Sequence, residues 1–403
     1  MSAYEQWFRQ LDEVGSLSRG KSKHRPRNDP ILYGGPHPFI QTGDVKHSSF
    51  YVTSYSQTYS DKGLAQSKLW PAGTLCITIA ANIADTAILT FPACFPDSII
   101  GFKAKDGVAS TAYVKYCLDT YKTQMRSISQ GTTQDNLSQG KLLSLKFRIP
   151  DFQTQQNIAA ILSPYDDLIA NNQRRITLLE RMAEDIYCEW FVRLRFPGYE
   201  QVNFEKGVPQ GWSPSTLGAV ADFTMGQSPS SEYFNDAGNG LPFHQGVGSY
   251  GPRYPSHDTF CSVSGRKAKP GDILFSVRAP VGRINIADRE LIIGRGLAAI
   301  RHKRGMNGYL LYLLTVTFAS EDIIGNGSIF NSVGKDELAR LGVFEPNFAL
   351  VEKFEALVQP IDQKVAALYQ ANASLKSTRD ALLPRLISGK LAVDGLDIKS
   401  VPQ

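Results

Sequence analysis

Metal-binding and disulfide patterns are missing from this sequence. Its five cysteines, Cys76, Cys94, Cys117, Cys188 and Cys261, form no CxxC pair, which fits reduced thiols better than a disulfide framework. The six histidines show no HExxH or other ligand spacing, so no metal site is expected. Long hydrophobic runs are missing too. The most apolar stretch, TLCITIAANIADTAIL, is broken by Thr, Asn and Asp, and no membrane partner is expected. The opening residues, MSAYEQWFRQLDEVG, carry acids and no apolar h-region, so the chain reads as cytoplasmic. No NPPY or DPPF tetrapeptide of the methyltransferase kind, no nucleophilic triad and no paired-carboxylate signature stands out. Catalytic residues are therefore expected to be none, and any chemistry must come from partners.

What is present suits two globular domains: 403 residues, 42% of them hydrophobic and 20% charged, enough for two ordinary cores. The formal net charge of +5 permits a polyanionic partner without requiring one.

Two nucleotide motifs occur out of context. GSLSRGKS, residues 15–22, matches GxxxxGK[ST], but a phosphate loop needs a buried strand before it and a helix after it. Here YEQWFRQLDEV precedes it and the proline-containing KHRPRNDP follows. GVGSYG, residues 246–251, matches GxGxxG, yet PRYPSHD follows and two prolines exclude the helix that a dinucleotide fingerprint opens.

The main signal is an internal repeat. Leu11, Val14 and Gly20 correspond to Leu217, Val220 and Gly226 at an offset of 206, and Phe39 to Phe243 at 204. PAGTLCITIAANIADTAI meets KPGDILFSVRAPVGRINI at 198, and Tyr113, Tyr116, Gly131, Leu142, Leu145 and Pro150 meet Tyr309, Tyr312, Gly327, Leu338, Leu341 and Pro346 at 196. An offset that shrinks in small steps is what loop deletions in one of two copies produce. At GSLSRGKS the second copy keeps Gly226 but has Gln227 for Lys21 and Ala221 for Gly15, which further weakens the phosphate-loop reading. RGKSKHRPR reads instead as a basic loop whose Arg19, Lys21, Lys23, Arg25 and Arg27 are available to phosphates or base edges, or as a solvated surface loop.

Each copy ends in a long helical pattern. Leu162, Tyr165, Ile169, Asn172, Ile176, Leu179, Ala183, Ile186 and Trp190 alternate spacings of three and four, and the second copy repeats this as Val358, Ile361, Val365, Leu368, Asn372, Leu375, Arg379, Leu382 and Leu386. Both read as heptad seams, with Asn172 and Asn372 as register-fixing polar positions. Packing of each helix on its own domain is the alternative; two matched seams favour an antiparallel pair. About 30 residues at ~1.5 Å each give a helix of about 45 Å. Pro384 is expected to kink or end the second helix near its last turn. The organisation is unit one (1–150), helix one (151–195), a linker, unit two (207–346) and helix two (347–392). GDILFSV and LIIGRGLAAI read as strands, TAYVKYCLDTY and NGYLLYLLTVTF as helices, giving an α+β fold.

With this two-copy layout, the KPGDILFSVRAPVGRINI segment, the helix entry IPDFQTQQNIAAILSPYDDLIANNQRRITLLE and the C-terminal LLPRLISGKLAV, the chain resembles the DNA specificity subunits of type I restriction-modification enzymes. The resemblance implies two tandem α/β target-recognition domains separated by a long antiparallel two-helix coiled coil, each domain reading one half of a bipartite double-stranded DNA target. It also implies two methyltransferase subunits docked on the helices and restriction subunits that can join them. S-adenosylmethionine would sit in the methyltransferase partner and ATP with Mg in the restriction partner, with no cofactor bound by this chain. In the second unit Gln227, Ser228, Arg253, Arg278 and Arg295 become the DNA-contact candidates, an ion pair being the alternative for Arg278. A nucleotide hydrolase working through Lys21 and a scaffold without nucleic acid are the competing readings.

Overall fold

The computed structural model describes residues 7–129, 137–319 and 332–393; the repeat match of Gly131 with Gly327 lies outside them. The chain forms two compact units, residues 1–174 with 369–403 and residues 175–368. Each unit therefore contains a globular part and a share of both long helices.

In the first unit the central sheet runs in the order Gly15–Arg19, Ile99–Ala104, Leu75–Thr78, Thr86–Leu89, Tyr51–Val52. Leu75–Thr78 is buried on both faces, which is why it reads as an unbroken apolar run rather than an alternating one. Below the first strand, Leu11–Val14 forms one helical turn and packs Leu11 and Val14 into the core. A second sheet joins Gln57–Tyr59, Tyr33–Phe39, Ala93–Cys94 and Leu69–Trp70. The helix Thr111–Thr120 is capped by Ser110, which accepts from the Tyr113 amide, so one orphan amide of the first turn is satisfied.

The second unit repeats this topology. Its central sheet runs Ala221–Met225, Leu297–His302, Ile273–Ser276, Ile284–Ile286, and its other sheet contains Leu241–His244, Leu291–Ile293 and Lys267–Ala268. The register matches residue for residue. Gly15 lies opposite Ala104 and Ala221 opposite His302; Leu75 opposite Phe102 and Ile273 opposite Ile300. Phe39 runs parallel beside Cys94 as Phe243 does beside Ile292. A one-residue slip would turn every side chain to the other face, so shared register is stronger evidence of duplication than shared strand order. The expected helices are Thr111–Thr120 and Asn307–Phe318.

The long helices are Phe152–Tyr187, continued by a π-helical turn at Cys188–Val192, and Phe348–Ile387, which ends three residues after Pro384. In the first unit they run antiparallel: Ile158 and Leu162 share a core with Leu386 and Ile387, and Asn172 Nδ2 donates to Asn372 Oδ1 at 3.0 Å. The second unit also pairs them antiparallel, with Ala183 and Tyr187 against Phe354, Val358 and Ile361. Ile169, Ile176, Val365 and Leu368 are buried, and Leu179, Leu375 and Leu382 half-buried. Two seam positions depart from the heptad reading. Asp166 rather than Tyr165 is fully buried, because it carries an ion pair; Tyr187 rather than Ile186 faces inward just before the π turn, where the helical period changes.

Candidate nucleic-acid interface

In both units the candidate surface begins where the first strand of the central sheet ends. The glycine retained in both copies has a packing reason. A Cβ on Gly20 would lie 2.2 Å from the Phe95 carbonyl oxygen, and one on Gly226 2.1 Å from that of Gly294. Gly15 is likewise fixed by the Phe102 ring, 2.3 Å from its would-be Cβ. The backbone amides that a phosphate loop would offer are already used: Gly20 N–H donates to Ile99 O at 2.9 Å and Lys21 N–H to Phe95 O at 3.1 Å. No helix follows Ser22; the next element is a 3-10 turn at Pro30–Leu32. GSLSRGKS is thus a strand end and its connecting loop.

The loop that follows is held by hydrogen bonds to its backbone and by two carboxylates. Gln66 Oε1 accepts from the Lys23 and His24 amides at 2.6 and 3.1 Å, and Ser67 Oγ donates to Lys21 O at 2.8 Å. His24 meets Asp29 at 2.9 Å, and the Asp29 pKa is lowered by the Ile31 amide and by His24. With the backbone fixed, Arg19, Lys21, Lys23, Arg25 and Arg27 all remain exposed. Two of the five are engaged internally: Arg25 Nη1 donates to Ser22 O at 2.7 Å, and Arg27 makes a forked pair with Asp97 at 3.0 and 3.1 Å. Sequence reasoning missed Lys68 and Lys103. Strand pairing sets Lys103 opposite Ser16, and Lys68, just before the strand Leu69–Trp70, donates from Nζ to Ser18 Oγ at 2.9 Å.

In the second unit the same strand end gathers Gln227, Ser228 and Arg295 with Gln245, a residue not expected from sequence. Ser228 Oγ donates to Gln245 Oε1 at 2.6 Å and accepts from the Arg295 amide at 3.2 Å. Gly294 and Gly296 permit this approach, since a Cβ on either would lie 2.5 Å from Gln245 oxygens. The Gln227 and Arg295 side chains are exposed, as is Arg278, whose backbone bridges to Ser332. The side-chain amides and hydroxyl present paired donors and acceptors of the kind that read base edges.

Arg253 departs from the expectation. It is 8% exposed, with Nη2 at 2.6 Å from Asp362 and Nη1 at 3.1 Å from Glu180, so the loop carrying it is clamped to both long helices. Burial is the largest single influence on Arg253 and lowers its pKa, but Asp362, Tyr312, Tyr254 and Glu180 together outweigh it and the net direction is up. Tyr312 also donates to Asp362, at 2.9 Å. The first unit has the same carboxylate with a different cation: Tyr116 donates to Asp166 at 2.5 Å, and the arginine is Arg379 of the second long helix. A loop arginine could not be told from a surface one by composition, because the distinction is made by the loop's path.

A hydrogen-bonded chain lies behind the same loop. Ser249 Oγ meets His244 Nδ1 at 2.7 Å, His244 Nε2 meets His257 Nδ1 at 3.1 Å, and His257 Nε2 meets Asp288 at 3.0 Å. Burial and the neighbouring His257 push the His244 pKa down to about 4. Among the described residues no group of three or more His, Cys, Asp or Glu side chains is placed to hold a metal ion, and no helix is long and apolar enough to cross a membrane.

Residues 4–181 match the family described as the type I restriction modification DNA specificity domain. The MjaIX specificity subunit of a type I restriction enzyme from Methanocaldococcus jannaschii is 25% identical over 410 residues, covering 96% of this chain and 94% of that one. A second M. jannaschii chain, bearing the name of the MjaX specificity subunit, is 29% identical over 292 residues, 70% of this chain and 68% of its own length. Among solved structures, the S subunit of a type I restriction-modification system from M. genitalium shares the fold with a TM-score of 0.57 at 17% identity, covering 94% of this chain and 95% of that one. Over nearly its whole length the chain is similar to specificity subunits of type I restriction enzymes, and residues 4–181 match the DNA specificity domain of those systems.

Proposed function

We propose that each unit reads one half of an asymmetric, bipartite duplex DNA target and that the long helices dock two methyltransferase subunits, this chain itself being a non-catalytic specificity subunit. The observation that carries the reading is a shared frame with unlike contents. Where the first strand ends, the first unit presents Arg19 and Lys21 and the second, in the same register, Met225 and Gln227. Unlike side chains on one frame select unlike half-sites.

Docking is supported by the outer face of the first long helix in the second unit. Leu178 is 67% and Met182 45% exposed, and with Ile186 and Trp190 they line an open groove of about 540 Å³. An apolar row on an otherwise charged helix fits a partner protein. S-adenosylmethionine would be held by the methyltransferase, and ATP with Mg by a restriction subunit where one joins. The test is to map methylated adenines in a host expressing this chain with its methyltransferase. A split motif with unlike halves and a fixed gap is expected; an uninterrupted or palindromic motif contradicts the reading.

A further inference from the structure

The two units differ in electrostatics as well as in sequence. In the first, the Trp70 ring is a platform: it lies on Gly101, where a Cβ would meet Cζ3 at 2.6 Å, stacks on Phe95 at 4.9 Å, and is 2% exposed. Lys68 Nζ stands 3.6 Å and Lys103 Nζ 5.9 Å from its centroid. Partial burial and the nearby Lys103 and Lys21 ammonium groups lower the Lys68 pKa, so three like charges act on one another. Arg19 ends the strand that carries Ser18. Among the described residues no carboxylate pairs with Arg19, Lys21, Lys68 or Lys103. Gathered like charges on a rigid platform repel one another, and a polyanion relieves that repulsion while releasing its own counterions.

In the second unit the equivalent positions are Met225, Gln227, Arg266 and Arg301, around Ala268 in place of Trp70. Arg301 is neutralised by Asp272 at 2.5 Å, and neighbouring Lys267 by Glu290 at 2.8 Å. The balance of whole segments agrees: residues 1–150 hold 17 lysines and arginines against 11 aspartates and glutamates, residues 207–346 hold 13 against 12.

We infer that the face built on Trp70, with Arg19, Lys21, Lys68 and Lys103, is a duplex-phosphate anchor found in the first unit alone, so that this unit supplies most of the salt-dependent affinity while the second, with Arg266, Arg278 and Arg295 dispersed and Arg301 paired, contributes less. The inference rests on the DNA-reading function proposed above and adds a division of labour to it. Phosphate contacts carry no sequence information, so the anchor strengthens binding to every duplex alike.

The test uses the full chain with its methyltransferase and measures duplex affinity across a salt series. Lys68→Gln with Lys103→Gln should flatten the slope of log K against log salt by ~1.8, at ~0.9 per phosphate contact, on target and non-target duplexes equally. Lys68→Arg with Lys103→Arg should restore the slope, which separates lost charge from lost folding. Arg266→Gln with Arg301→Gln should change the slope by less than half as much. Equal flattening by both glutamine pairs, or an unchanged slope in the first, overturns the inference even with DNA binding intact. Absence of duplex binding by the unaltered complex would instead remove the function on which it rests.

Discussion

Where the first unit sets Trp70 against Gly101, the second sets Ala268 against Ala299, at equivalent positions of the same strands. The large ring and missing side chain of one copy become two small side chains in the other. A similar exchange occurs at the end of the parallel strand pair, where buried Ile40 corresponds to His244 with its hydrogen-bonded chain. At the helix pair, Asp166 takes its arginine from the opposite helix and Asp362 from a loop. Sheet register is common to both copies because it is fixed by burial of one face. Volume and charge are free to drift so long as each site is filled and each buried charge is paired.

The largest effect should come from breaking the two carboxylate clamps. Asp166 is wholly buried, so Arg379→Met, which leaves it without its cation, should cost ~3–5 kcal/mol. Arg253→Met should cost less, because the Asp362 and Glu180 side chains are 20% and 34% exposed and water can take over part of the pairing. Denaturant melts followed by hydrogen exchange in each unit would rank the two; a larger loss in the second unit would break the comparison.

His244 gives the next effect, in the second unit only. Its pKa is about 4 in the fold against an ordinary value of 6.5, so between those values the unfolded chain binds the additional proton. Stability present above pH 6.5 is therefore lost as pH falls through this window, by about 3 kcal/mol at pH 4. His257, Ser249, Asp258 and Asp288 face or act on the ring and persist in the variant. His244→Gln should flatten the acid loss seen by hydrogen exchange in the second unit and leave that of the first unit unchanged.

The smallest effect concerns the platform. Gly101→Ala should cost ~1–3 kcal/mol by overpacking against Trp70, whereas Ala299→Gly should cost ~0.5–1 kcal/mol through backbone entropy alone. Thermal melts of the two variants would sharpen the contrast; equal costs would mean that the Trp70 ring yields.

The repeat, the central strands and both long helices were legible because they rest on periodic burial, which one sequence records directly. Even the stepwise offsets of 206, 204 and 198 reappear in the strand pairing of Gly15, Phe39 and Leu75 with their counterparts. The site was less legible. Lys68 and Lys103 stand 35 positions apart in sequence and meet only through strand pairing and the Trp70 ring. Gln245 owes its place to Gly294 and Gly296, and Arg253 owes its burial to a loop path that no local pattern encodes. Asp166 replaced Tyr165 on the seam because a buried carboxylate with two partners satisfies the interior where periodicity anticipates an apolar group.

The most direct measurement is the methylation motif of a variant altered in one unit alone. With Gln227→Ala and Ser228→Ala in the full complex, the mapped adenines should lose sequence preference in one half of the motif while the other half and the gap stay unchanged. Relaxation of both halves together, or of neither while methylation persists, would contradict independent reading by the two units.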